Sequence, residues 1–300
     1  MSAAAPAKDN IRLERNQKRF WRENGYLILE SFFSQPEVAA VNAVVERRMA
    51  DPSSFGQATV DPLHGEHTGK RFRAVEAPRE VFNGPIKIND LFLDESEVRN
   101  LALSERLTKM LAGLLDGAPL VCNSLNFIWG SQQPDHVDSW FMPAPVRNDP
   151  AAKRHWWQPK PPEPLDFNKR LAVSSICLED VHPGAGPLVY YPGSHKIPPF
   201  RFPNGGFAAL QDGTEHCTKY VHEQIAKMGL RREEFLGKAG DVFLWHGQLV
   251  HGGSPITEPS RTRKTLVTHY WSARDVDPNR AVKVHETGFY EKRGHQESRN

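Results

Sequence analysis

The sequence predicts an α+β chain, with helices in its first part and a β barrel or two-sheet sandwich in the rest. Two observations carry this expectation. Capped, amphipathic helical patterns recur between residues 11 and 117, and from residue 119 onward short β-prone runs follow one another, punctuated by Gly and Pro. With 300 residues and 39% hydrophobic content the chain can bury one sizeable core, so a single domain over 1–300 is expected.

The elements follow in order. "IRLERNQKRFWRE" reads as a helix ended by Gly25, and "YLILESFF" has the apolar, β-prone character of a strand. In "SQPEVAAVNAVVERRM", Ser34 and Glu37 form a capping box, Pro36 suits the first turn, and Val38, Val41, Val45 and Met49 recur on one helical face. Residues 51–85, rich in Gly, Pro, His and charge, read as a long irregular excursion, and "SERLTKMLAGLLDG" as a further capped helix closed by Gly117. The strand candidates are "PLVCNSLNFIW", "LAVSSICLEDV", "PLVYYPGSH", "DVFLWHGQLVHGG" and "RKTLVTHYW". Residues 142–167 interrupt them with seven prolines, and a loop of that length is a candidate lid. Residues 1–10 and 279–300 are polar and are expected to pack loosely as tails.

Acids and bases nearly balance at a net charge of +2, so nothing in the totals calls for a nucleic acid or an anionic membrane. Cys122, Cys177 and Cys217 are widely spaced and odd in number, which argues against a disulfide framework or a zinc knuckle and favours a reduced, cytoplasmic setting. No apolar run approaches a membrane span, and "MSAAAPAKDN" has no apolar core of a leader peptide. A small-molecule partner is expected, and the oligomeric state is not legible.

Chemistry enters with "PDHVDSW". On an extended strand, His136 and Asp138 project to one side while Val137 faces away, which places two possible metal ligands on one wall. A third ligand has to come from the thirteen histidines. Most of them lie in polar, turn-like stretches, which leaves His246, His251 and His269 in or beside the late strand candidates. His251 opens "HGGSP", where two glycines let the backbone pass close to a bound group. Arg263 follows at the entrance of "RKTLVTHYW", and on an antiparallel neighbour its guanidinium can lie beside the His251 imidazole. Two imidazoles and one carboxylate on one side of an ion, with the other positions open, form the facial triad of non-haem Fe(II) oxygenases. An arginine fork beside it suits the distal carboxylate of a dicarboxylic cosubstrate.

In "NGYLILESFFSQPEVAAVNAVVERR", "IKIND", "HVD", "GAGPLVYYPGSHK", "GDVFLWHGQLVHGGSP" and "RTRKTLVTHYW", taken in this order, the chain resembles the phytanoyl-CoA dioxygenase family. The resemblance implies a double-stranded β-helix (jelly roll, cupin-like) with N-terminal and flanking helices. It also implies Fe(II) on His136, Asp138 and His251, with 2-oxoglutarate and O2 as cosubstrates. It carries Arg263 over as the clamp for the 2-oxoglutarate C5 carboxylate and leaves Arg261 as its rival, because the interval from the distal His runs one residue longer than in many members. By position, Lys87 and Leu125 resemble residues that line the cosubstrate pocket in some members. The implied activity is hydroxylation of an unactivated C–H bond in a small organic substrate, such as an acyl thioester, a sugar acid or glycan, or a secondary metabolite, with succinate and CO2 as by-products. Trp140 and Phe141, directly after the metal pair, and Trp156 and Trp157 in the lid candidate are the expected substrate contacts. A β-helix binding protein without turnover and a metal-dependent hydrolase are the alternative readings.

Overall fold

Polar caps start the first elements where the sequence places them. The computed structural model describes residues 13–115, 117–142, 171–202, 207, 209 and 214–299. Helix α1 (Arg15–Asn24) stops at Gly25, whose φ of 80° is left-handed and whose N–H returns to the Trp21 carbonyl. Strand β1 (Tyr26–Leu29) follows and is shorter than the expected run, because Ser31 adopts a φ of 49° that a ladder does not accommodate. Helix α2 (Gln35–Ala50) opens on the expected capping box, with Ser34 N donating to Glu37 Oε2 at 2.8 Å, and buries Val38, Val41, Val44 and Val45. Helices α3 (Leu91–Asp94), α4 (Ser96–Ala102) and α5 (Glu105–Leu115) complete this layer.

The strands form two facing sheets. The larger runs in the order β1, β9 (Val242–His246), β6 (Leu171–Cys177), β11 (Thr265–Ser272), β5 (Pro119–Phe127), β4 (Ile86–Asn89), β2 (Thr59–Pro62), β3 (Phe72–Arg73). The smaller is β10 (His251–Gly253), β7 (Leu188–Tyr190), β8 (Glu233–Phe235). This is the jelly-roll layout, in which antiparallel strands far apart in sequence become neighbours.

Alternation along the large sheet divides its residues between two tasks. Leu125 pairs with Val267, and Asn123 with His269, on adjacent strands. These four side chains, with Phe127, Lys87, Asn89, Asp61 and Trp245, line a cavity between the sheets of about 380 Å³. Residues on the opposite face, among them Ile86, Ile88, Leu266 and Tyr270, join the valines of α2 and the Leu107, Met110 and Leu111 side chains of α5 in the main core. One sheet therefore carries both the core and the wall of the cavity.

Four expectations change. The stretch 51–85 is not wholly irregular: β2 and β3 extend the large sheet, with Asp61 paired to Lys87 across β2 and β4. These strands are too short and too polar to announce themselves by periodicity. Helix α6 (Glu215–Met228) was not legible between the late strands. It buries Cys217, Val221 and Ile225, a spacing of four that marks one helical face. The segment 279–300 is not loosely packed where it is described. Strands β12 (Ala281–His285) and β13 (Gly288–Glu291) form a hairpin, and β13 runs parallel to β5. Beyond it, Arg293 Nη2 pairs with the fully buried Asp90 carboxylate at 2.8 Å, and Arg299 bridges Arg71 backbone to backbone. Finally, His136 and Asp138 do not share a regular strand. His136 makes an isolated bridge to His251 and Asp138 starts a 3₁₀ turn, Asp138–Trp140, while the extended Val137 between them preserves the common side. Within the lid candidate 142–167 only Met142 is described, so Trp156 and Trp157 lie outside the described residues, as do residues 1–10.

Arg293→Ala should lower the unfolding free energy by about 3 kcal/mol, because it leaves a buried carboxylate without its cation. The shift of the urea midpoint measures it. No change would mean that the backbone hydrogen bond from Ser124 N and the Gln296 amide hold Asp90 unaided.

Candidate active site

The site begins with a backbone crossing. His136 N donates to His251 O at 2.8 Å, and His251 N returns the bond to His136 O at 3.0 Å. The two glycines after His251 make this closeness possible. A Cβ on Gly252 would stand 2.7 Å from Asp135 Oδ1 and 3.0 Å from Gln133 O, and one on Gly253 would stand 2.8 Å from Gln132 N. The sequence suggested that these glycines make room for a bound group, whereas they make room for the segment that carries the other two ligands.

Each imidazole is fixed in one tautomer. His136 Nδ1 lies 2.7 Å from Pro134 O and His251 Nδ1 lies 3.0 Å from Leu249 O. A carbonyl oxygen only accepts, so both Nδ1 atoms carry a proton, and Nε2 is the nitrogen each ring can offer to a metal. Burial, with His251 beside it, pushes the His136 imidazole down to about 4, so it is neutral at neutral pH. Burial alone would raise the Asp138 carboxyl, but the His251 and His269 rings hold it well below the usual carboxylate range. Ligand atoms of His136, Asp138 and His251 all lie within 4.8 Å of one another. Two imidazole nitrogens and one carboxylate at this spacing suit a divalent iron with open coordination positions.

The carboxylate is itself oriented. Trp245 Nε1 donates to Asp138 Oδ2 at 2.7 Å, and His269 Nε2 donates to Oδ1 at 3.1 Å. Behind His269 the chain of contacts continues: Asn123 Nδ2 reaches His269 Nδ1 at 3.4 Å, and Gln296 Nε2 donates to Asn123 Oδ1 at 2.9 Å. The sequence marked His269 only as one of three late-strand histidines, and gave no signal for Trp245, Asn123 or Gln296. Trp245→Phe keeps most of the ring but removes one donor from Asp138, and should weaken Fe(II) affinity roughly tenfold. Anaerobic titration reads this, and unchanged affinity would show that His269 suffices.

Arg263 enters the same cavity, on the loop just before β11. Its backbone N–H is tied to Ile128 O at 2.7 Å, and its side chain is 5% exposed. Among the described residues it has no ion pair, and its Nε has no hydrogen-bond partner. Burial pulls the guanidinium down to about 10, so it stays charged at neutral pH. A buried arginine without a counter-ion is an unfilled place for an incoming carboxylate. Arg261, its rival, is half exposed, pairs with Glu258 at 3.3 Å, and does not line the cavity. Lys87 and Leu125 both line it. Burial lowers the Lys87 pKa although Asp61, 3.6 Å away, opposes this.

The two residues after the metal pair separate. Phe141 is 53% exposed, lines the cavity and meets the His136 ring edge-on at 5.8 Å between centroids. Trp140 does not line it. Its ring is buried with Val137, Tyr191, Cys217 and Val221, because the 3₁₀ turn sends consecutive side chains in different directions and α6 supplies an apolar seat. The expected substrate contact at Trp140 is thus a packing residue.

A sequence model of phytanoyl-CoA dioxygenase (PhyH) matches residues 21–265. The chain belongs to that family. This phytanoyl-CoA dioxygenase family member is a non-haem iron, 2-oxoglutarate-dependent oxygenase, with His136, Asp138 and His251 as its metal triad. No curated protein sequence matches it significantly. Solved structures share its fold at low identity. EctD from S. alaskensis with 2-oxoglutarate and 5-hydroxyectoine is 18% identical, with a TM-score of 0.59, over 98% of this chain and 89% of that one. The carbocyclase SnoK from nogalamycin biosynthesis is 19% identical, with a TM-score of 0.57, over 87% and 85%. The epimerase SnoN from the same biosynthesis is 15% identical, with a TM-score of 0.54, over 92% and 96%.

Proposed function

We propose that this oxygenase hydroxylates an unactivated C–H bond of a small organic substrate, consuming O2 and 2-oxoglutarate and releasing succinate and CO2. The observation that carries the reading is the buried Arg263, without an ion pair among the described residues, in the same cavity as the triad. Iron, when bound, supplies the oxidising chemistry that the side chains lack. The chain's own residues arrange it. His136 and His251 offer lone pairs whose direction the Pro134 and Leu249 carbonyls fix. His251 and His269 keep the Asp138 carboxylate ionised, and Trp245 and His269 orient it. Arg263 takes the C5 carboxylate of 2-oxoglutarate in a charge-assisted pair, with Lys87 and Leu125 on the neighbouring strands of the same wall. Phe141, over the edge of His136, offers an aromatic face to the substrate.

Support for a reducing, cytoplasmic setting comes from the three cysteines, which are free and buried. None of the described helices is long and apolar enough to cross a membrane.

The test is a screen of candidate substrates with Fe(II), 2-oxoglutarate and O2, reading succinate and hydroxylated product together. The reading requires equimolar succinate and product, both lost without O2 or 2-oxoglutarate. Turnover that persists without 2-oxoglutarate would indicate a hydrolase. Tight substrate binding with no succinate formed would indicate a binding protein.

A further inference from the structure

The wall of the cavity beyond the triad holds more positive charge than the oxygenase reaction uses. Four basic side chains, Arg71, Lys87, Arg263 and Arg299, line the cavity against two carboxylates, Asp61 and Asp138. His136 is neutral. Loading the site, on the function proposed above, adds a divalent ion and a dianionic cosubstrate, which cancel. The excess of two positive charges therefore survives loading.

The excess sits away from Arg263. Arg71 holds Asp61 through two hydrogen bonds of 2.6 Å from Nε and Nη2, and Lys87 lies 3.6 Å from the same carboxylate. One acid thus faces two cations, and Arg299 makes a third without an ion pair of its own among the described residues. The Lys87 pKa records the crowding: after burial and the opposing pull of Asp61, both Arg71 and Arg299 depress it. If Lys87 is given to the cosubstrate, as its position suggests, Arg299 still remains.

Arg299 is held in place by a well-anchored segment. The paired bonds between Arg71 and Arg299, 2.7 and 2.8 Å, fix the backbone at the cavity, and upstream Arg293 is locked to Asp90 and Gln296 to Asp90 and Asn123. Like charges gathered at the wall of a partly enclosed cavity raise the potential there and are relieved by an anion.

We infer that the primary substrate carries an oxyanion group, carboxylate or phosphate, that docks between Arg71 and Arg299, so that the segment 293–299 is part of the substrate site. Bound there, the anion would aim the rest of the substrate along the cavity toward the triad.

The test is equilibrium dialysis of inorganic phosphate against the protein loaded anaerobically with Mn(II), a redox-inert stand-in for iron, and saturating 2-oxoglutarate. Wild type should bind phosphate saturably, Arg299→Gln about tenfold more weakly, and Arg261→Gln like wild type. Affinity for 2-oxoglutarate should stay within twofold in Arg299→Gln. Displacement of phosphate by acetate but not by uncharged acetamide identifies a site open to carboxylates, and failure of acetate identifies one selective for phosphate. Absence of saturable phosphate binding to loaded wild type, or equal binding by wild type and Arg299→Gln, overturns the inference. So does a fall in 2-oxoglutarate affinity in Arg299→Gln as large as that in Arg263→Gln, which would give these cations to the cosubstrate. Arg71→Gln, which leaves the buried Asp61 to Lys87 and Asn89, is the second variant and should also weaken phosphate binding, and the exposed Arg299 keeps the test valid if that protein does not fold. A protein that takes up neither Mn(II) nor 2-oxoglutarate refutes the oxygenase function instead, and phosphate binding by the unloaded wild type and Arg299→Gln then still decides the anion site.

Discussion

His251→Ala abolishes turnover and lowers Fe(II) affinity by more than about a hundredfold, since even the partners behind metal ligands are worth ten- to a hundredfold. The variant removes one of three ligand side chains, and the triad has no spare nitrogen to replace it. His269, the other imidazole in contact with Asp138, has Nε2 engaged as a donor to that carboxylate, so it has no lone pair to offer there. The informative control is His246→Ala. His246 Nδ1 accepts from Gln248 N at 3.0 Å, its ring packs near Trp21 and His195, and it does not line the cavity. Its loss should cost about 1–3 kcal/mol of stability and leave iron binding intact. Anaerobic Fe(II) titration of both variants, with melting curves, decides the matter: full affinity in the His251 variant and lost affinity in the His246 variant would reverse the assignment.

The second large effect falls on the cosubstrate. Arg263→Ala should raise the KM for 2-oxoglutarate by about ten- to a hundredfold, in line with roughly 1.5–3 kcal/mol for a hydrogen bond to a charged group. The same substitution at Arg261 should leave it unchanged, because that side chain is 53% exposed and paired with Glu258 outside the cavity. Removing Arg263 also takes away a buried charge that has no ion pair among the described residues, so the variant should melt no earlier than wild type. A KM equal to that of wild type would exclude the clamp. A lowered melting point with normal KM would make Arg263 a structural residue.

Several features were decided by the sequence alone, because they rest on short-range chemistry. The capping box at Ser34 and Glu37, the left-handed stop at Gly25 and the β-prone runs around Leu125, Phe243 and Val267 each need only their neighbours in the chain. His136, Asp138 and His251 were legible because residue type and local spacing narrow the ligand set before any fold is known. What only the tertiary structure decided depends on contacts between distant residues. That Arg263 is buried at the cavity while Arg261 is half exposed and paired with Glu258 follows from the course of the turn before β11. Trp140 and Phe141, both expected as substrate contacts, part company because α6, itself hidden in a polar stretch, covers the first and not the second. The glycines after His251 serve the close crossing of segment 131–135 rather than a ligand, which no local pattern distinguishes. Most distant of all is the closing segment: a run of charged and polar residues carries no hydrophobic period, yet Arg293 finds the buried Asp90 and Arg299 finds Arg71 more than two hundred residues away. Ion pairs and backbone bridges of that kind are written in geometry rather than in spacing, and only the folded chain brings their partners together.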